Sequence, residues 1–560
     1  MKHSLQKHIR RTALLATMLA VGCLNAQLNA LQESQIDSLF LAWNQPGHPG
    51  GSVGVMQDGQ LLYSRAYGLA SLEFEVPNKT STRYNIASVS KQFTAMGILL
   101  LESEGKVDLN ADIRTYLPEL PDFGYRINLR HLMHHTSGLR SLHDLLALAG
   151  WRGDDLRTNE DLYRIIKNQR DLNFPPGEQY LYCNTGYILM ALIIEKITGD
   201  PFADWMNHCV FKPLGMHNTY VEDNYTRVVV NNAHSYYHSH DRLFESAQAF
   251  WSYTGAGNIH ATAQDLLLWS RNFYAPQAGW EAPFQKLRTL DPLNDGRANS
   301  YAFGVILEEK GGYQRILHSG SIGGYRSFMG VYPEQRLNII VLTNFSSSQA
   351  GAKADAIAGL LLEKKEPAPK GKEQITRYQK MSATELKQFE GTFWNKAAHY
   401  SVGISLANDT LRYTRDGKQY PMLALTPQSF QLQGTGEPTT LVFQSGPKGE
   451  KTLQEIKGTN PPTQLKPYDP EVPGPQEIAT YAGTYYSPEL DTQYHITVKN
   501  GQLFWRHARH GEFEMTLLKK DVLKGSWPFE IVEISRDTAQ AIKGIAVSNG
   551  RVKKLWMEKR

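Results

Sequence analysis

At 560 residues, with 41% apolar, 20% charged and 11% aromatic side chains, the chain is too long for one hydrophobic core and too apolar to be disordered. Its 59 basic and 55 acidic residues intermix to a formal net charge of +4, which argues against the concentrated basic surface of a nucleic-acid binder.

Lys2, Lys7, Arg10 and Arg11 precede an apolar run from Ala13 to Gly22. The run is short for a bilayer span and has the shape of an export signal, so a periplasmic or secreted protein is expected. Cleavage near Ala26 would define a signal peptide over 1–26; lipidation at Cys23, within the imperfect box Ala20-Val-Gly-Cys23, would instead anchor a lipoprotein. Cys183 and Cys209 then remain, either bridged once or as two buried thiols, too few for a disulfide scaffold.

The next unit is expected over 28–362. Gly51–Met56 and Gly59–Ser64 flank Asp58-Gly59 and predict a β-hairpin. Helices are expected from Ser88 to about Glu104, then over Leu129–His134, Asn159–Lys167, Gly186–Ile197 and Thr262–Trp269, the last opened by a Thr262/Asp265 capping box. Tyr301–Ile306, Tyr325–Gly330 and Leu337–Leu342 read as strands. Strands at both ends of a helical middle predict an α+β unit: one antiparallel sheet built from both chain ends, with a helical lobe beside it.

Within that unit, Ser88 and Lys91 stand three residues apart where a helix begins, ahead of the stripe Phe93, Met96 and Leu100. A serine in a first helical turn lies near unpaired backbone N–H groups and the positive end of the helix. A lysine one turn later is within reach, and an amine among apolar neighbours can give up its proton and activate the hydroxyl for acyl transfer. The stripe anchors the helix in the core.

Lys364–Glu373 is charged, contains proline and reads as a linker, placed at 363–380. Beyond it Phe389-Glu-Gly-Thr-Phe393 recurs as Tyr481-Ala-Gly-Thr-Tyr485, and Leu411-Arg-Tyr413 as Leu503-Phe-Trp505, at an offset of 92 residues. Two small antiparallel β-barrels are therefore expected, over 381–470 and 471–560.

Ser88-Val-Ser-Lys91, Tyr182-Cys-Asn184 and His318-Ser-Gly320, in that order, resemble the three motifs of the serine β-lactamase and penicillin-binding-protein superfamily. The phrases Leu129–Leu139, Phe211–Met216 and Gly255–Asp265 look like its class C-like branch of D-aminopeptidases, D-Ala-D-Ala carboxypeptidases and esterases. The paired barrels more loosely resemble the lipocalin-like domains appended to some D-aminopeptidases.

The resemblance implies an antiparallel sheet flanked by helices, an all-helical lobe and a site at their junction. It makes Ser88 the nucleophile and gives the proton work to Lys91 and Tyr182, with the route between them open. Asn184, His318, Ser319 and Gly320 would bind substrate, and the N–H groups of Ser88 and Ser321 would form the oxyanion hole. No cofactor or metal is implied. Many relatives have lysine where this chain has His318, which weakens recognition of a substrate carboxylate.

The expected partner is a small peptide, amide or ester substrate. The leading expectation is hydrolysis of amide bonds in small peptides, including D-residue-containing or peptidoglycan-derived ones. Esterase, β-lactamase and a catalytically silent peptide-binding protein are the alternatives. The pair His131/His135 reads as structural support; His234, His238, His240 and the cluster Phe250–Tyr253 are candidates for lining the cleft. Asn78-Lys79-Thr80 and Asn224-Tyr225-Thr226 match the glycosylation sequon.

Overall fold

The computed structural model describes residues 28–239, 244–247, 250–363, 378–396, 400–415, 417–435, 438–445, 451–457, 462–470 and 473–560. The expected signal segment with Cys23, most of the linker, and His240 lie outside them. Two compact units emerge. The first takes the described residues up to Gly138, then Gly153–Arg164, then Phe174 to 363; the second takes Leu139–Arg152, Ile165–Asn173 and the described residues from 378 onward. Among the described residues no helix is long and apolar enough to cross a membrane.

The first unit is built on one six-stranded sheet. Its strands are β1 (Gly51–Gln57), β2 (Gln60–Tyr67), β3 (Ile306–Lys310), β4 (Tyr313–Ile322), β5 (Tyr325–Tyr332) and β6 (Leu337–Thr343). They lie in the order β3-β4-β5-β6-β1-β2. Every pairing is antiparallel, so Gly51 meets Thr343 and Val55 meets Ile339, and the two chain ends close one sheet as expected.

Strand β6 is buried along its whole length, so its side chains must be covered on both faces. Leu337, Ile339 and Val341 pack with Ala354, Ile357 and Ala358 of a helix at Ala350–Leu361. The other face meets a helix at Ala263–Arg271. Thr262 caps that helix through Asp265 N–H at 3.1 Å. The reciprocal half of the expected capping box is absent, because the Asp265 carboxylate instead accepts from Asn218 N–H and the Thr219 hydroxyl.

Two helices of the lobe carry motif residues: α1 (Lys91–Ser103), preceded by a 3₁₀ turn at Ala87–Ser90, and α2 (Asn184–Thr198). Both are almost wholly buried along their first three turns. The expected strand at Tyr301–Ile306 is a turn, and the strand starts only at Ile306. Gly304 causes the shift: its φ is +79°, and a Cβ there would lie 2.6 Å from the backbone N of Gln92. The segment is pinned against the first turn of α1 and cannot run extended.

In the second unit the repeat folds as two closed eight-stranded barrels. The first runs from Gly391–Asn395 to Thr463–Pro467, the second from Gly483–Ser487 to Val552–Lys559. Closure is by equivalent pairs, Phe393 with Pro467 and Tyr485 with Lys559. Closure satisfies the strand edges that an open sheet would expose.

The segments Leu139–Arg152 and Ile165–Asn173 belong to this unit through buried polar contacts. Arg140 donates to the Glu489 carboxylate at 2.6 Å, each side chain 1% exposed. Glu489 also accepts from Arg170 N–H, Arg140 donates to the Lys553 carbonyl, and the Tyr494 hydroxyl donates to the Leu148 carbonyl.

Candidate active site

Ser88 sits in the 3₁₀ turn that opens α1, half-buried. Its predecessor Ala87 has φ +50°, an uncommon conformation for a residue with a Cβ, and is buried. The Asn85 side chain holds this turn by accepting from Ala87 N–H at 2.9 Å. Backbone strain at a buried turn persists only where the surroundings over-determine it, and here the Asn85 side chain contributes.

Lys91 is fully buried. Its Nζ donates to Ser88 Oγ at 3.1 Å and to the Ala256 carbonyl at 2.7 Å, and stands 4.9 Å from the centre of the Tyr182 ring and 5.5 Å from that of Tyr187. The sequence thus brings Ser88, Lys91 and Tyr182 together from two parts of the lobe. Ala256, from the phrase Gly255–Asp265, supplies an acceptor that the motifs did not indicate.

Tyr182 is held by His135. The ring centres are 4.1 Å apart, His135 Nδ1 accepts from Cys183 N–H, and the His135 carbonyl accepts from Leu181 N–H. His135 is therefore support for the second motif, while His131 closes a capping box with Asn128. Asn184 is buried at the first position of α2, two residues beyond Tyr182. Cys183 and Cys209 are both reduced; Cys183 is buried and Cys209 only partly so.

The third motif lies on β4. Strand β3 covers β4 only as far as Leu317, so among the described residues no strand pairs with the edge from His318 to Ser321 on that side. Gly320 faces the turn that carries Ser88 so closely that a Cβ would lie 2.3 Å from the Ile86 carbonyl oxygen. Ser319 and Ser321 alternate to the exposed face, as the two-residue period of a strand requires.

His318 is buried. Its Nδ1 lies 2.6 Å from the Ser319 carbonyl, which can only accept, so Nδ1 carries hydrogen. Its Nε2 lies 2.9 Å from the Tyr301 hydroxyl. Burial, with the Lys91 charge nearby, pushes the imidazole pKa down to about 3 against the pull of the Ser319 carbonyl. Burial also lifts the Tyr301 phenol far above its usual range. A neutral imidazole accepting from a protonated phenol is the arrangement that satisfies all three groups.

Of the other candidates, His234 lines a pocket beside the site while His238 sits on a short strand, Tyr236–His238. Phe250 lines the same pocket and Trp251 stacks under Arg157. Asn78 is buried, and its amide donates to the Tyr67 carbonyl and accepts from Tyr84, so that sequon is occupied by the core.

The description "Beta-lactamase" belongs to the family model that matches residues 28–364. Penicillin-binding protein 4* of Bacillus subtilis is 31% identical over 331 residues, 56% of this chain and 72% of its own length. A D-aminopeptidase of Gluconobacter oxydans is 28% identical over 450 residues, 80% of this chain and 81% of its own. In fold, an octameric penicillin-binding protein homologue from Pyrococcus abyssi superposes with a TM-score of 0.53 at 22% identity, over 78% of this chain and 99% of its own.

Proposed function

The chain belongs to the Beta-lactamase family, and from that premise we propose that it is a serine hydrolase cleaving amide bonds of small peptides through an acyl-enzyme on Ser88. The observation that carries the reading is the buried Lys91 amine nitrogen 3.1 Å from the Ser88 oxygen. Ser88 Oγ bonds to the acyl carbon while its hydrogen passes to the Lys91/Tyr182 pair. The carbonyl oxygen, now charged, accepts from the N–H groups of Ser88 and Ser321, and Asn184 with the open edge of β4 aligns the substrate backbone. Collapse breaks the C–N bond as the same pair returns a proton to the leaving amine. Water then hydrolyses the ester.

The substrate side rests on two points. A neutral His318 offers no charge to a substrate carboxylate, which disfavours carboxypeptidase and β-lactamase action relative to aminopeptidase or esterase action. The similarity to the Gluconobacter D-aminopeptidase extends well beyond the length of the family match, covering 80% of this chain. Peptides with D-residues are thus the substrates proposed first, and the barrels are read as the lipocalin-like appendage of such an enzyme.

A panel of D- and L-aminoacyl p-nitroanilides, p-nitrophenyl butyrate and nitrocefin, with Ser88→Ala as control, tests this. Amide turnover lost in the control supports the reading. Ester turnover with no amide turnover replaces it with an esterase, and no Ser88-dependent turnover of any of them overturns it.

A further inference from the structure

A pocket of about 380 Å³ opens beside the nucleophile turn, within the size range of small-molecule sites. Its wall includes Asn85, whose side chain spans Ala87 N–H and the Asn258 amide, and Ile322 and Gly323, the two residues after Ser321 on the motif strand. It therefore shares Asn85 with the turn that carries Ser88, and Ile322 with the strand that carries Ser321. Tyr225 and Phe250, edge to face with ring centres 5.3 Å apart, give it an apolar wall.

The charge in this pocket is unusual. Glu222 lines it, and its carboxylate accepts from His260 Nε2 at 2.9 Å. The His260 side chain is 4% exposed, stacked on Tyr220, and its Nδ1 is buried with no hydrogen-bond partner among the described residues. A hydrogen on Nδ1 would be stranded there. A hydrogen therefore belongs on Nε2, where the Glu222 carboxylate accepts it.

Two other lining residues have acids of their own: Arg227 pairs with Asp223 at 3.1 Å, and His234 lies 3.5 Å from Glu73. Glu222 is the one acid among the described lining residues, and its partner is the His260 imidazole. A carboxylate at the end of an aromatic-walled pocket suits an ammonium group on an apolar body.

The geometry points to this pocket as the subsite for the acyl side of the substrate, with Glu222 as the carboxylate that holds a free amino group next to an apolar side chain. The inference rests on the hydrolase reading above and adds to it the class of acyl group: an unblocked amino-acid residue.

Binding separates this claim from catalysis. Calorimetry on the Ser88→Ala protein compares D-phenylalaninamide with its N-acetyl derivative. The free amine is expected to bind at least about tenfold tighter, as one charge-assisted contact implies, and adding Glu222→Gln is expected to erase that preference. Equal binding of the two ligands by Ser88→Ala, failure to bind either, or a preference retained with Glu222→Gln would each overturn the subsite. Should the double variant melt early, the comparison in Ser88→Ala decides alone. Failure of the hydrolase reading shows separately, as turnover that survives the loss of Ser88.

Discussion

The Tyr301 hydroxyl donates to Nε2 of His318 at 2.9 Å, in a place where both side chains are buried. Tyr301 lies outside the three motifs, in the turn that Gly304 pins against α1. With the Ser319 carbonyl taking the hydrogen on Nδ1, it gives the bare Nε2 of His318 a donor. Tyr301→Phe leaves a buried acceptor unpaired, a loss of about 1–3 kcal/mol. Urea unfolding is expected to show that loss, and the pH profile of kcat/KM is expected to move as His318 becomes easier to protonate.

His318 itself should tie stability to pH. In the unfolded chain it titrates near 6.5, in the fold near 3. Between those values the unfolded chain binds a proton that the native state refuses, so this contribution is present above pH 6.5 and is lost as pH falls toward 3. The melting temperature of His318→Gln is expected to fall less between pH 6.5 and 4 than that of the wild type. An equal fall would show that His318 is not held neutral.

Replacing the same residue with a permanent cation tests its bearing on specificity. His318→Lys is expected to raise the ratio of nitrocefin turnover to p-nitrophenyl butyrate turnover, because only nitrocefin carries a carboxylate for the ammonium to meet. An unchanged ratio would remove His318 from carboxylate discrimination.

Gly304→Ala puts a Cβ where φ is +79° and Gln92 N stands 2.6 Å away. The expected destabilisation exceeds about 1 kcal/mol, and displacement of the first turn of α1 should lower kcat by more than it changes KM. Thermal melts with steady-state kinetics measure both.

In the second unit, Glu489→Ala strands the buried Arg140 charge, at an expected loss of about 3–5 kcal/mol. A chain ended at residue 373 removes the same partner along with the Lys553 carbonyl. It is expected to unfold or aggregate more readily than the full chain, measured by melting and light scattering.

What the sequence made legible was local. The hairpin at Asp58-Gly59, the apolar helices and the one-turn spacing of Ser88 and Lys91 follow from residues close along the chain. Tyr301–Ile306 misread as a strand because its alternation is strand-like, and the contact that bends it at Gly304 comes from α1. Arg140 and Glu489 are 349 residues apart, and no pattern near either announces a buried pair. Glu222 and His260 were missed for the same reason: Glu222 lies in no motif, His260 carried no role within the phrase Gly255–Asp265, and only the folded pocket brings them together.

The most direct measurement is intact-mass spectrometry after exposure to a fluorophosphonate probe. The account predicts one covalent adduct on the native protein, mapped to Ser88, absent from Ser88→Ala and formed about 10²–10⁴-fold more slowly in Lys91→Met. An adduct on another residue, or Ser88 labelling at an undiminished rate without the lysine, would contradict it.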